Sequence, residues 1–209
     1  GDVVTNYARL DSGTTDETDT DLAVLESTAG VLKLKSADAI TVAVDETVQA
    51  GQDVLLLTES GDITQNSGAT LTSNDGNISV IAAGSVSQGA DIDADGNTDG
   101  TAGDVYVSAA SGSITMAAGT QAAGDAIRYA ASNTTNGTIA LGVLSASDSV
   151  SVLAGVDITD VNTDETANIS AARARLVATN GSIGSAGGTA SDTNVNAVDI
   201  AVSNVEAQA

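Results

Sequence analysis

Between residues 91 and 100 oxygen-bearing side chains recur at alternate positions. The run Asp91-Ile92-Asp93-Ala94-Asp95-Gly96-Asn97-Thr98-Asp99-Gly100 puts carboxylates at positions 1, 3, 5 and 9 of a calcium loop, with glycine at position 6 where the chain must turn sharply. Alternate oxygens converge when a tight loop points every second side chain inward, and Asn97 adds a backbone carbonyl. Carboxylates crowded this closely repel one another unless a cation lies between them. The expected ligands are Asp91, Asp93, Asp95, Asn97 and Asp99, and the expected cofactor is Ca2+. Position 12 departs from the pattern, because Ala102 stands where a bidentate glutamate belongs; Asp104 is the substitute at hand. The competing reading is a solvated acidic turn.

Other charged groups carry weaker signals. Asp16-Glu17-Thr18-Asp19-Thr20-Asp21 and the set Asp157, Asp160, Asp164 and Glu165 read as solvated loops. The triplet Asp-Glu-Thr recurs at Asp16, Asp45 and Asp164, each time ahead of an aliphatic run, which suggests equivalent turns of a repeat. Arg173 and Arg175, two residues apart, share one strand face beside abundant aspartate. Grouped carboxylates with an arginine and calcium are also the equipment of some polysaccharide-cleaving enzymes. Carbohydrate clefts rely on aromatic platforms, however, and Tyr7, Tyr106 and Tyr129 are the only rings in the chain. The expectation for Arg173 and Arg175 is a structural ion pair with the acidic surface. Lys33 and Lys35 read as an outward strand face.

Composition removes most other chemistry. Without histidine or cysteine, the usual general base, thiolate catalysis, disulfides and most transition-metal sites are excluded. Six Lys and Arg against 28 Asp and Glu give a net charge of −22, which disfavours nucleic acid and anionic membranes as partners. The longest aliphatic run, Val54-Leu55-Leu56-Leu57, is far too short to span a membrane. The chain is expected not to be an enzyme.

The elements that would position such residues are visible in a repeat. Gly-x-aliphatic triplets occur at Gly61, Gly76, Gly84, Gly103, Gly112, Gly137 and Gly181, among others. After each, apolar and small polar residues alternate, as in Asp104-Val105-Tyr106-Val107-Ser108 and Ser149-Val150-Ser151-Val152. Period two marks half-buried strands, and the intervening Gly, Asn and Asp supply turns. The segment 167–178 fits a helix on paper but alternates equally well as a strand. The expected fold is all-β, a right-handed parallel β-helix (β-solenoid) of about ten coils of roughly 20 residues, a rough estimate from turn spacing. Coils stack at ~4.8 Å around a ladder of aliphatic side chains. A narrow interior has little space for rings, and prolines would delete rung hydrogen bonds; the chain has no Phe, Trp or Pro. Residues 1–209 are expected to be one solenoid segment of a longer protein, with an irregular acidic stretch at 11–21 and a loop insertion at 89–102.

The phrases Ala102-Gly103-Asp104-Val105-Tyr106-Val107-Ser108-Ala109-Ala110-Ser111-Gly112-Ser113-Ile114-Thr115 and Val177-Ala178-Thr179-Asn180-Gly181-Ser182-Ile183-Gly184 resemble the repeat region of filamentous-haemagglutinin-type bacterial exoproteins. The resemblance runs from about Val48 to Val205. It implies a right-handed β-helix and a role as surface adhesin, biofilm matrix protein or stalk; the family's amino-terminal secretion domain has no recognisable counterpart here.

The function expected is therefore a non-enzymatic structural or adhesive segment of a large bacterial extracellular or cell-surface fibrous protein. Its expected partners are neighbouring segments of the same protein, head-to-tail copies, or surface glycans and host or cell-surface ligands. The alternatives are a polysaccharide-binding or cleaving β-helix and a pair of calcium-dependent β-sandwich adhesion domains.

Overall fold

Alternation decides which side of each strand faces inward. In Val54–Thr58, Ile78–Ala82 and Val105–Ala109 the first, third and fifth side chains are buried and the two between them half-buried. Such segments can bury one row of aliphatics only by lying against other strands with the same pattern. The computed structural model describes residues 24–27, 30–97, 99–162, 166–184 and 197–209; the expected acidic stretch at 11–21 lies outside them.

The described strands follow in order as β1 (Val24–Ser27), β2 (Leu32–Ser36), β3 (Ile40–Val42), β4 (Thr47–Ala50), β5 (Val54–Thr58), β6 (Ile63–Gln65), β7 (Thr70–Ser73), β8 (Ile78–Ala82), β9 (Val86–Gln88), β10 (Ile92–Asp93), β11 (Val105–Ala109), β12 (Ile114–Met116), β13 (Gln121–Ala131), β14 (Ile139–Leu141), β15 (Val143–Ala154), β16 (Ile158–Asp160), β17 (Ile169–Ala178) and β18 (Ile200–Gln208). Each coil contributes three strand segments, and each segment pairs in parallel with its equivalent one coil away. One row runs β1, β4, β7, β10, a second β2, β5, β8, β11, and a third β3, β6, β9, β12, β14, β16. From β13 onward the first two segments of a coil fuse into one long strand, with an irregularity between Gly124 and Ala126 where the corner was. The described residues are all-β, and all their strand pairings are parallel, which excludes the β-sandwich alternative.

The structure is a β-solenoid of about six turns, fewer than the ten coils expected. Register runs from Leu32 to Val54, Ile78, Val105, Ile127, Val150 and Ala174, steps of 22, 24, 27, 22, 23 and 24 residues. Coils are longer than 20 residues because each has two glycine-marked corners. The close triplets at Gly76 and Gly84, and again at Gly103 and Gly112, open β8 and β9, then β11 and β12, within one coil. Segment 167–178 resolves as strand β17 rather than helix.

Like side chains stack along the core. Ile40, Ile63, Val86, Ile114, Ile139 and Ile158 follow one another, all buried. The core nevertheless takes one ring: Tyr129 is fully buried, against the expectation that the interior excludes aromatics. Its hydroxyl donates to Gln88 Oε1 at 2.6 Å, so the ring reaches from the β13 wall to the β9 wall with its polar tip satisfied.

Candidate functional site

The corners show why the Gly-x-aliphatic triplet recurs. At a corner the backbone leaves the ladder, and its N–H needs another acceptor. Asp53 Oδ1 accepts the N–H of Asn77 at 2.8 Å, Asn77 Oδ1 that of Asp104 at 2.8 Å, and Asp104 Oδ1 that of Ala126 at 3.1 Å. A second corner repeats the device, with Asp62 Oδ1 accepting from Ser85 at 2.6 Å and Asp157 Oδ1 accepting from Ser182 at 2.8 Å. The middle residue of the triplet is thus a side-chain clamp onto the next coil. Its glycine is required by close approach: a Cβ on Gly103 would run into the carbonyl of Gly76 in the coil before.

The acidic run from Asp91 to Asp99 lies where the fourth coil passes from β10 to β11. The corresponding passage from β7 to β8 takes residues 74–77, whereas here residues 94–104 intervene. The excursion closes on itself through Gly103 N–H to Ala94 O at 2.8 Å. It begins a little later than the 89–102 expected, because Asp91-Ile92-Asp93-Ala94 still follows the strand pattern, with Ile92 and Ala94 buried.

That pattern changes the meaning of the alternate carboxylates. Asp91, Asp93 and Asp95 alternate because Ile92 and Ala94 occupy the core, so a strand produces the period that a calcium loop would also produce. The five residues are not gathered on one point by their hydrogen bonds. Asp91 Oδ1 accepts the N–H of Gln121 in the next coil at 2.7 Å, and Asp93 Oδ1 accepts the N–H of Asp95 at 3.0 Å. Asn97 Nδ2 donates to Asp75 Oδ1 at 2.7 Å, and Asp99 Oδ1 accepts from Thr101 N–H at 2.9 Å. Asp104, the substitute at position 12, clamps Ala126. Asp95 Oδ1 alone is a buried oxygen without a hydrogen-bond partner in this group. Among the described residues no group of three or more His, Cys, Asp or Glu side chains is placed to hold a metal ion.

The described basic residues lie on the outside. Arg173 Nη2 donates to both oxygens of Asp148, each at 2.6 Å, and Arg175 Nε lies 3.4 Å from Glu206. The hydrogen bond from Arg173 holds the Asp148 carboxyl below the usual carboxylate range, the nearby guanidinium charge adding to it. Lys33 and Lys35 are outward residues of β2, and Lys35 pairs with Glu59 one coil on. Of the other acidic residues singled out, Asp157 is a corner clamp, and Asp160 Oδ1 accepts from Asn162 N–H at 2.7 Å and Asn168 Nδ2 at 2.6 Å. Asp45 adopts a positive φ of 61° in the turn before β4, where Gly68 serves one coil later at 81°. Asp164, Glu165 and the Asp16 triplet lie outside the described residues.

The polar groups that matter inside the core were missed by the sequence reading. Gln65 and Gln88 stack in register, both buried. Gln65 Nε2 donates to Ala69 O at 3.1 Å and Asp91 O at 2.9 Å; Gln88 Nε2 donates to Ala90 O at 3.1 Å and Gln121 O at 3.0 Å. Each glutamine thus ties the end of its third strand to the start of the next coil. The signal was present in the triplets Ile63-Thr64-Gln65 and Val86-Ser87-Gln88, which align one coil apart with the glutamine at an inward position. Asn168 plays a similar part lower down, donating to Gly142 O at 2.9 Å and accepting from Asp199 N–H at 2.9 Å.

Compared with protein-family models, with curated proteins and with solved structures, the chain matches none.

Proposed function

We propose that this chain is a stiff, non-catalytic spacer or filament-forming segment of a large bacterial extracellular or cell-surface fibrous protein, of the filamentous-haemagglutinin type that its repeats resemble. The observation that carries the reading is the handover of parallel register from one coil to the next along all three faces, interrupted only by local shifts at corners in β13 and β15. Each interior rung is hydrogen-bonded to the coil above and below, and clamps at the corners replace the bonds that the strands cannot make. Such a ladder carries load along its axis through many parallel bonds, and its energetics are nearest-neighbour. The winding is taken as right-handed, the sense of nearly all parallel crossovers. Outward Ser, Thr, Asn and Asp keep the surface wet, and the outward row Leu55, Leu57 and Ile81 on β5 and β8, half-buried, offers an adhesive surface for glycans or cell-surface ligands. Neighbouring segments of the same protein are its nearest partners, in a biofilm matrix or a surface stalk.

Calcium belongs to this reading as a ligand of the acidic run that leads through β10 into the excursion, at Asp91, Asp93, Asp95, Asn97 and Asp99. The orphaned Asp95 oxygen and the net charge of −22 support it.

Stretching a single chain tethered at residues 24 and 208 tests the spacer role. The expected trace is a series of force peaks, each releasing one coil of roughly 80 Å contour length at about 3.5 Å per residue. Extension without resolved peaks would remove the mechanical reading.

A further inference from the structure

The outward face of the second strand row differs from the rest of the surface. It is built by β2, β5, β8, β11, β13, β15, β17 and β18, whose register carries two outward columns along the axis. One column begins at Lys33, passes Tyr106 and Arg128 at its middle and ends at Glu206. The other begins at Lys35, carries Leu57 and Ile81 in its first half and Leu153 and Val177 in its second, and ends at Gln208. In a chain of net charge −22, these columns hold the cations Lys33, Lys35, Arg128 and Arg175 against a single carboxylate, Glu206. Every cation among the described residues lies on this face or, for Arg173, at its edge. Arg128 stacks over the Tyr106 ring, 5.9 Å from its centroid.

Each column is complementary to itself read backwards. Turn a second copy about a twofold axis that lies in the face, runs along the strands and passes between Tyr106 and Arg128. Lys33 then meets the partner's Glu206, and Tyr106 meets the partner's Arg128, a cation over a ring. Leu57 meets the partner's Val177 and Ile81 the partner's Leu153, while the small side chains of Ser108 and Ala130 let the centres approach. No two like charges face each other. Val177 and Ala130 are nearly covered in the single chain, at 8% and 7% exposure, so the apolar contact rests on Leu57, Ile81 and Leu153, which are half-buried. We propose that this face pairs with the same face of a second copy, the two rods lying side by side and antiparallel. The contact is isologous and closes at two copies. At ~4.8 Å per rung and ~3.3 Å per residue the patch measures about 34 Å by 16 Å. It therefore buries roughly 1,000 Å² in total, at the lower limit for a specific contact, and the dimer is weak. The face lies on the flank, so coils stacked beyond either end leave it in place. The proposal takes up the adhesive surface of the function above and names a second copy as its ligand; the spacer role neither needs it nor falls with it.

Sedimentation of the 209-residue chain from micromolar to millimolar concentration should show a monomer–dimer equilibrium. Glu206→Lys sets a lysine against the partner's Lys33 and should weaken the dimer roughly threefold or more, since the twofold axis repeats the clash. The same change lowers the net charge, so any association governed by total charge would strengthen instead. Lys33→Glu should weaken the dimer likewise. An equimolar mixture of the two variants should recover heterodimers of the original strength, because each altered residue then meets its opposite. Ile81→Thr, outward and mid-rod, should weaken the dimer roughly threefold or more through lost apolar contact while circular dichroism stays unchanged; stacking through the rod ends would not register it. A chain that stays monomeric throughout overturns the proposal, whether or not the face takes a glycan. So does a dimer that Glu206→Lys strengthens, a mixture that fails to recover, or an Ile81→Thr variant of full affinity.

Discussion

At the residue scale the buried pair Tyr129 and Gln88 shows how this core handles polarity. The phenol is fully buried, and burial pushes its pKa far above the ordinary value of about 10. A raised pKa in the folded state means that the unfolded chain releases the proton first. The stabilisation is therefore complete below pH of about 10 and lost above it, by roughly 1.4 kcal/mol per pH unit for this one group. Tyr129→Phe should remove that part of the alkaline loss seen in denaturant melts across pH 9 to 12. The same variant should cost about 1–3 kcal/mol at neutral pH, because Gln88 Oε1 is left buried without its donor. The glycines separate into two kinds. Gly119 has a positive φ of 77° with open space around its missing side chain, whereas Gly103 lies against the backbone of Gly76. Gly119→Ala should cost about 1–2 kcal/mol for the left-handed conformation. Gly103→Ala should cost more, because two coils must separate to admit the methyl; paired urea melts rank the two, and equal costs would contradict the stacking account.

At the element scale a solenoid should fail locally. Ser151 lies mid-strand in β15, between Arg128 of β13 and Arg175 of β17. Ser151→Pro removes a rung hydrogen bond and disturbs the coil on either side, at about 3 kcal/mol or more. Hydrogen exchange should then speed up in β13, β15 and β17 while β5 and β8 keep their protection; uniform acceleration would show that the coils unfold as one. The strands themselves were legible in the sequence. Val105-Tyr106-Val107-Ser108 and Ser149-Val150-Ser151-Val152 alternate because one face is core, and both are strands. Coil length was legible only roughly: triplets such as those at Gly76 and Gly84 mark corners within one coil, but the number of residues between corners varies, so the register steps of 22 to 27 residues exceed the roughly 20 expected. The acidic run was ambiguous for a related reason. A strand with Ile92 and Ala94 in the core spaces its carboxylates as a calcium loop does, and only the burial of those two apolar residues tells the patterns apart. Tyr129 could not be placed from sequence, since the acceptor that satisfies its buried hydroxyl, Gln88, comes from another wall 41 residues away in the chain.

At the scale of the whole molecule the dominant fact is a net charge of −22 on a chain whose described residues wind into about six coils. At ~4.8 Å per coil the axis is roughly 30 to 40 Å long, so like charges lie within a few Debye lengths of one another at physiological salt, where that length is about 8 Å. Parallel stacking aggravates this, because outward residues sit directly above their equivalents. The corner clamps relieve part of it by turning aspartates such as Asp53, Asp62 and Asp104 into acceptors for backbone N–H groups one coil away. The remainder is simple repulsion and should respond to any salt. Thermal stability should therefore rise as NaCl is added, levelling off once the screening length falls below the coil spacing. Calcium is separable from that background. If the excursion at Asp91 to Asp99 takes the ion, calcium at millimolar concentration should raise the melting temperature beyond what magnesium does at equal ionic strength, by mass action on the folded state. Asp95→Asn, which alters the orphaned carboxylate, should abolish the difference while leaving the NaCl response intact. Equal shifts from the two cations would reduce the acidic run to one more screened turn, and the rod would owe its cation dependence to its charge as a whole.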